Sequence, residues 1–225
     1  MLEHVYRRTA ACPMLDDVVI ATCDEAIAEA AAGFGARATM TSATHERASD
    51  RVAEACAGDS ADIVVMVQGD EPLIRPHMIA AAVQPLLQNP AVACVNLAAP
   101  IRSEAELSDP NTIKTVFAHN GDALYFSRSP IPSPHPSGFA AGTWFKQVCV
   151  IPFRREALRR FSTLSPGPLE IAESIDMLRF LEHGLSVRLV RTDIPVQSVD
   201  APGDLALVES LMMADPWEAI ADDSR

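Results

Sequence analysis

The stretch ADIVVMVQGDEPLI, residues 61–74, joins the most apolar β-forming run of the chain to four residues poorly suited to a core, Gln68, Gly69, Asp70 and Glu71. A Val/Ile run without polar alternation marks a strand buried on both faces, as in parallel α/β sheets. In open sheets of that kind, ligands sit just beyond the carboxyl ends of the strands, and Gln68 begins at such an end. Gly69 lets backbone approach a ligand closely. Asp70 stands where a carboxylate can hold Mg²⁺, which proteins bind through one or two carboxylates plus substrate phosphates. A strand-terminating turn in which Asp70 caps the following helix accounts for the same residues.

Working outward, residues 17–22, 37–41 and 92–98 read as further short strands, with helices over 25–33, 46–57 and 76–87 between them. Asp24 is placed to cap the first helix and Gly33-Phe34-Gly35 to stop it. Pro76 opens the third and Asn89-Pro90 closes it. An amphipathic helix over 2–11 comes before them. Strand–helix–strand alternation at this spacing predicts an α/β fold, Rossmann-like, with a mostly parallel sheet and helices on both faces. The second half leaves that rhythm. Residues 112–127 read as a hairpin about Asn120-Gly121. A Pro/Ser/Gly-rich loop spans 129–143, a strand 145–153, helices 154–161 and 168–183, a strand 187–190 and a helix 202–213. The chain reads as one domain over 1–215, with a small β-rich insertion at about 109–150 and an acidic tail over 216–225.

Composition narrows the function. The 225 residues carry a net charge of −12, with 48% hydrophobic and 21% charged residues, a balance suited to a sizeable core. The acidity argues against a nucleic-acid partner, and a phosphate-rich small molecule would need local cations or a metal. No apolar run approaches a membrane span, and the N-terminus is no signal peptide. The five cysteines are scattered and lack CxxC spacing, so free thiols and a cytoplasmic location are expected.

A second carboxylate of the same character is Asp200, in SVDAPGDLALVE, residues 198–209. Helix capping competes with ligand binding for it. Asp204, in the first helical turn, is most simply a helix-dipole residue. Periodicity does not say whether Asp70 and Asp200 meet.

Taken together, VQGDEP (67–72), DPNTIKTVFAHNGDALYFSRSPIP (109–132), LEIAESIDMLR (169–179) and VDAPGDL (199–205) resemble the CMP-Kdo synthetase family, the 3-deoxy-manno-octulosonate cytidylyltransferases. The resemblance implies a nucleotide-diphospho-sugar transferase fold whose insertion helps form a homodimer. It also implies Mg²⁺-dependent coupling of CTP to the anomeric hydroxyl of a 3-deoxy-ulosonic acid, with release of pyrophosphate, for lipopolysaccharide or capsule sugars. Asp70 and Asp200 match the family's catalytic metal-binding aspartates. Gln68, Gly69 and Arg51 fall at nucleotide-binding positions. Tyr125, Arg128, Gln147, Glu170, Glu173 and His45 fall at substrate positions. A guanidinium fork at Arg128 suits the sugar carboxylate; a structural ion pair is its other reading.

The chain departs from the family pattern in several places. Family members begin with a strand and a basic loop of the type IPARxxSTRLPGKPL, whose Arg and Lys hold the triphosphate; this sequence begins at the helix that follows. That strand would lie between 18–22 and 63–67, so the native start is expected upstream of Met1 and the activity of the chain as given is in question. Arg47-Ala48-Ser49 replaces Ser-Gly-Thr, Gln147 replaces a His, and Met177 takes a position usually held by Gln. These sugar-side differences predict a related acid sugar or relaxed recognition. A neighbouring expectation is a cytidylyltransferase for another acid sugar. One of a different class is a degenerate homologue that senses nucleotide or dimerises.

Overall fold

The computed structural model of the protein describes residues 1–134 and 138–214; the expected acidic tail over 216–225 lies outside the described residues. The first half follows the expected alternation: α1 (Leu2–Ala10), β1 (Val19–Thr22), α2 (Glu25–Gly33), β2 (Arg37–Met40), α3 (Ala48–Ala55), β3 (Ile63–Val67), α4 (Pro76–Gln88) and β4 (Val95–Pro100). Asp24 caps α2 as expected, its Oδ1 accepting the Ala26 N–H at 2.8 Å. The second half comprises α5 (Glu104–Ser108), β5 (Lys114–Phe117), β6 (Ala123–Ser127), β7 (Phe145–Val148), β8 (Val150–Arg154), α6 (Arg155–Thr163), α7 (Pro168–Glu173), α8 (Met177–Glu182), β9 (Arg188–Arg191) and α9 (Pro202–Ala214). The hairpin forms about Asn120-Gly121, where Gly121 takes the left-handed φ of 85° that favours glycine.

The architecture is mixed α/β. Parallel pairing joins β1 to β2 and β4 to β9. The remaining pairs are antiparallel: β3 with β8, and β5 with both β6 and β7, which in turn pairs with β4. An isolated bridge between Cys94 and Phe153, with the Arg154 N–H donating to Ala93 O at 2.9 Å, places β8 beside β4 as well as β3. β1 and β3 belong to separate sheets and do not pair with each other.

β3 is buried from both sides, as its composition requires. Val64 and Met66 pack into a cluster with Phe153, Phe161 and Phe180; Ile63, Val65 and Val67 pack against Val5, Ile74, Met78, Ile79 and Leu86. Helices therefore cover both faces, and each buried large apolar side chain contributes about 1.5–3 kcal/mol. This clamp fixes where β3 ends and hence where residues 68–71 emerge.

Three expectations are revised. The strand expected over 145–153 is two strands, because the chain changes partner at Cys149: β7 pairs with β4, and β8 with β3. The helix expected over 168–183 is broken at Ser174, which adopts left-handed φ 56° and ψ 46° and separates α7 from α8. The helix α5 was not anticipated, although Ser103-x-x-Glu106 carries a capping signature. Ser103 Oγ accepts the Glu106 N–H at 3.1 Å, and Glu106 Oε2 accepts the Arg102 N–H at 2.7 Å.

One buried cation ties the broken helix to the rest. Arg179 is 3% exposed and donates from Nε and Nη2 to both Glu170 oxygens at 2.7 Å, and from Nη1 and Nη2 to Asp50 at 2.9 and 3.0 Å. Its guanidinium lies 4.2 Å from the centre of the Phe161 ring. Removing one partner of a buried pair leaves the other charge uncompensated. Arg179→Leu is therefore expected to lower the unfolding free energy in urea by about 3–5 kcal/mol, and adding Glu170→Leu to recover part of that loss.

Candidate active site

The carboxyl end of β3 opens into a cavity of about 310 Å³. Gln68, Asp70 and Glu71 form one wall. Arg47 and Ala48 enter from the start of α3, and Arg128 from the end of β6. Gln147 comes from β7, Cys149 from the turn after it, and Asp176 from the break before α8. Asp200 and Asp204 come from the turn into α9. Seven carboxylates line this space against three cations, Arg47, Arg128 and Lys146.

Asp70 and Asp200, distant in sequence, face the same cavity, and the Val199 N–H donates to Asp70 O at 2.9 Å, tying the two segments together. Burial pushes the Asp70 carboxyl up, and the Asp200 charge adds to the shift. Asp70 Oδ1 is buried with no hydrogen-bond partner among the described residues. The competing capping role for Asp200 finds no support: no helix N–H donates to its carboxylate among the described residues, and its own N–H and that of Ala201 donate to Asp204 Oδ2 at 3.0 and 2.7 Å. That leaves the Asp200 carboxylate, which among the described residues accepts only from Ser198 Oγ, at 2.6 Å, available to the cavity.

Glu71 is the residue that sequence reasoning passed over. It is 4% exposed; its Oε1 accepts the Cys149 N–H at 2.9 Å, and its Oε2 has no partner among the described residues. Burial first, and then the charge of Asp70, push it up to about 7, while the Cys149 N–H and Lys146 pull the other way. Lys146 is held by Glu106 Oε1 at 2.5 Å and Val196 O at 2.8 Å. Asp176 was also missed. It is pushed up by burial and accepts from Ser49 Oγ at 2.5 Å. Its signal in the sequence was its place in LEIAESIDMLR (169–179); periodicity along that segment does not display the break at Ser174.

The other expected site residues divide. Gln68, Arg128 and Gln147 line the cavity. The Arg128 guanidinium donates to the carbonyls of Glu173, Pro110 and Ser174 at 2.6, 2.9 and 3.4 Å, so the structural ion pair considered for it is replaced by backbone acceptors. Gly69 is not a lining residue; a side chain there would point at Leu2 Cδ1, 3.5 Å away. Arg51 lies outside the cavity, its guanidinium donating to Thr41 Oγ1, Ser42 O and His45 O. His45 pairs with Glu54 across the same loop. Glu170 is fully buried against Arg179 and Arg47. Glu173 accepts from Ser127 Oγ and the Arg128 N–H, both at 2.8 Å, and Tyr125 Oη reaches it at 3.5 Å. These five hold the walls and do not face the cavity. Met177, expected on the sugar side, is fully buried in the Phe153–Phe161–Phe180 core, so it carries no argument about substrate.

A divalent cation fits this arrangement on charge and coordination. Among the described residues no group of three or more His, Cys, Asp or Glu could enclose a metal ion. Two carboxylates, one with an orphaned buried oxygen, match the partial set that Mg²⁺ takes when substrate phosphates and water complete its shell. No helix among the described residues is long and apolar enough to cross a membrane.

Comparison with known proteins gives one answer. Residues 1–191 match the Cytidylyltransferase family. The 3-deoxy-manno-octulosonate cytidylyltransferase of Geobacter metallireducens is 43% identical over 221 residues, covering 94% of this chain and 87% of the relative. That of Solibacter usitatus is 44% identical over 214 residues, covering 95% and 84%. A solved CMP:2-keto-3-deoxy-manno-octonic acid synthetase in complex with CTP superposes with a TM-score of 0.85 at 36% identity, over 95% of this chain and 88% of that one.

The raised Glu71 carboxyl has a measurable consequence. Its neutral form is favoured in the folded state, so its stabilising contribution is complete below the unfolded value near 4.5 and is lost as pH rises through about 7. In chelator, wild type is expected to lose roughly 3 kcal/mol of unfolding free energy relative to Glu71→Gln between pH 4.5 and 7.5. Denaturant titrations of both proteins at the two pH values check it; parallel curves would contradict the assignment.

Proposed function

The chain belongs to the CMP-Kdo synthetase family of cytidylyltransferases, and from that premise we propose that it transfers CMP from CTP to the anomeric hydroxyl of a 3-deoxy-ulosonic acid, 3-deoxy-manno-octulosonate or a close analogue, releasing pyrophosphate. The observation that carries this reading is the meeting of Asp70 and Asp200 in one cavity, with Asp70 Oδ1 left without a partner among the described residues.

In-line attack of a hydroxyl on an α-phosphorus needs positioning and charge neutralisation more than covalent help from the protein. An acidic cavity repels a triphosphate, so neutralisation must come from outside the side-chain set. Asp70 and Asp200 would hold Mg²⁺, which when bound supplies that positive charge and acidifies the attacking hydroxyl. Gln68 offers an amide with both donor and acceptor to the cytosine edge. Arg128 uses three of its five N–H groups on backbone carbonyls, so it is rigid, and the remainder serve the sugar carboxylate. Arg47 and Lys146 add positive charge to the wall.

The departures that do reach the cavity, Arg47-Ala48 and Gln147, favour a close analogue as substrate over strict use of one sugar. The arrangement proposed for the whole is a single domain over 1–215 that pairs as a homodimer through the insertion at about 109–150, where Leu124 of β6 is 61% exposed. The five free cysteines suit a reducing cytoplasm.

Pyrophosphate release from CTP with a panel of ulosonic acids tests the reading. Activity is expected only with added Mg²⁺, and Asp70→Asn and Asp200→Asn are each expected to lower kcat by about 10²–10³. Undiminished turnover by either variant would sink the metal assignment. CTP binding without turnover of any sugar acid would favour a nucleotide sensor.

A further inference from the structure

Gln147 lies on β7, which pairs antiparallel with β4 so that Ala98 is opposite Gln147. Asn96, two residues from Ala98, therefore shares the face of Gln147 and is its diagonal neighbour. Asn96 is completely buried. Its Nδ2 donates to Leu97 O at 2.8 Å and to Val148 O at 2.9 Å. Carbonyl oxygens only accept, so both hydrogens of this amide are committed and its orientation is fixed. Asn96 Oδ1 must then receive a hydrogen, and Gln147 Nε2 supplies it at 2.5 Å. The reversed Gln147 amide would set two oxygens against each other at that distance. Gln147 Oε1 is thus turned away from Asn96, on a side chain that lines the cavity, and no described residue donates to it.

We propose that Asn96 is a positioning residue that locks the Gln147 amide with its carbonyl oxygen toward the cavity, making this wall an acceptor for a hydroxyl of the sugar acid. The inference rests on the reading that a sugar acid occupies the cavity, and it adds a specificity rule. A hydroxyl at this wall is welcomed. A carbonyl or ether oxygen in its place meets Oε1 lone pairs, and a site built to accept a hydroxyl hydrogen rejects such analogues more sharply than an apolar wall would. A histidine in place of Gln147 could be donor or acceptor by tautomer; the Asn96-bound amide removes that freedom for its outward oxygen.

The test is a double-mutant cycle read in steady-state kinetics. Asn96→Ala is expected to raise KM for the sugar acid about fivefold to tenfold, with KM for CTP and kcat little changed. In a Gln147→Ala background it is expected to add nothing. An equal effect of Asn96→Ala in both backgrounds, or one confined to kcat or to KM for CTP, would overturn the proposal. Asn96→Ser, which keeps one donor for the two carbonyls, serves if the alanine variant does not fold. A second readout needs no activity: the Gln147 side-chain amide resonances, identified by their loss in Gln147→Ala, are expected to show slow hydrogen exchange that disappears in Asn96→Ser. Fast exchange in wild type overturns the locking even if turnover is normal. Wild type that releases no pyrophosphate with any sugar acid overturns the assigned reaction, and the exchange measurement then still decides whether the amide is fixed.

Discussion

The burial of carboxylates side by side at the end of a buried strand is the constraint on which the rest of this structure turns. β3 is gripped by apolar side chains on both faces, so it does not slide, and residues 68–71 emerge where the sheet dictates. Glu71 is fixed by the Cys149 N–H, Asp70 by the Val199 N–H on its carbonyl, and Asp200 is brought over them from the far end of the chain. Burial first, with the neighbouring carboxylate charge adding to it, raises the proton affinity of Asp70 and Glu71. The fold tolerates this because its other contacts overdetermine the position of each group. On the proposed function, a cation bound with a polyphosphate would offset that charge.

Two breaks in regular structure adjoin this cluster. At Cys149 the chain leaves β4 for β3, and the N–H released from a regular ladder is the one that Glu71 takes. At Ser174 a left-handed residue interrupts what would be a single helix, so that Asp176 reaches the cavity while Glu170 remains behind against Arg179. Both interruptions occur where the site needs a side chain that a straight element would have carried elsewhere.

The sequence made the central part of this legible. An apolar run followed by Gly-Asp is a local pattern, and the rule for ligand positions in open sheets converts it into a site at Asp70. The turn at Asn120-Gly121 and the cap at Asp24 are likewise local, since a few adjacent residues decide them. Asp200 was ambiguous because an Asp before Ala-Pro at a helix start reads equally well as a cap, and only the hydrogen bonds show that its carboxylate takes Ser198 Oγ and no helix N–H among the described residues. The strand break at Cys149 was invisible because Phe145 to Phe153 is uniformly β-forming, and which neighbour each half pairs with is a tertiary matter. Arg51, His45, Glu170, Glu173 and Tyr125 lie near the site in sequence motifs but turn to partners within the walls, as with the reach of Arg179 to Asp50 across 129 residues. Periodicity along one segment carries no information about such partners.

A single criterion separates the two groups of polar residues: whether the hydrogen-bonding capacity left after the protein's own demands are met faces the cavity. Both Glu170 oxygens are taken by Arg179, and both Glu173 oxygens by Ser127 and the Arg128 backbone. Arg51 is committed to the loop around His45. These groups are turned to partners within the walls, which they hold still. Asp70 Oδ1 has no partner among the described residues, and Arg128 retains N–H groups beyond its three carbonyls. Gln147 keeps Oε1 because Asn96 has claimed the other end of its amide. Unused capacity facing a cavity is unfavourable in the free protein unless water fills it, and it becomes favourable when a substrate supplies the missing partners. The same neighbours that engage one set of side chains thereby orient the other, so the structural network around Arg179 and Glu173 and the polar lining of the cavity are two consequences of one arrangement of donors and acceptors.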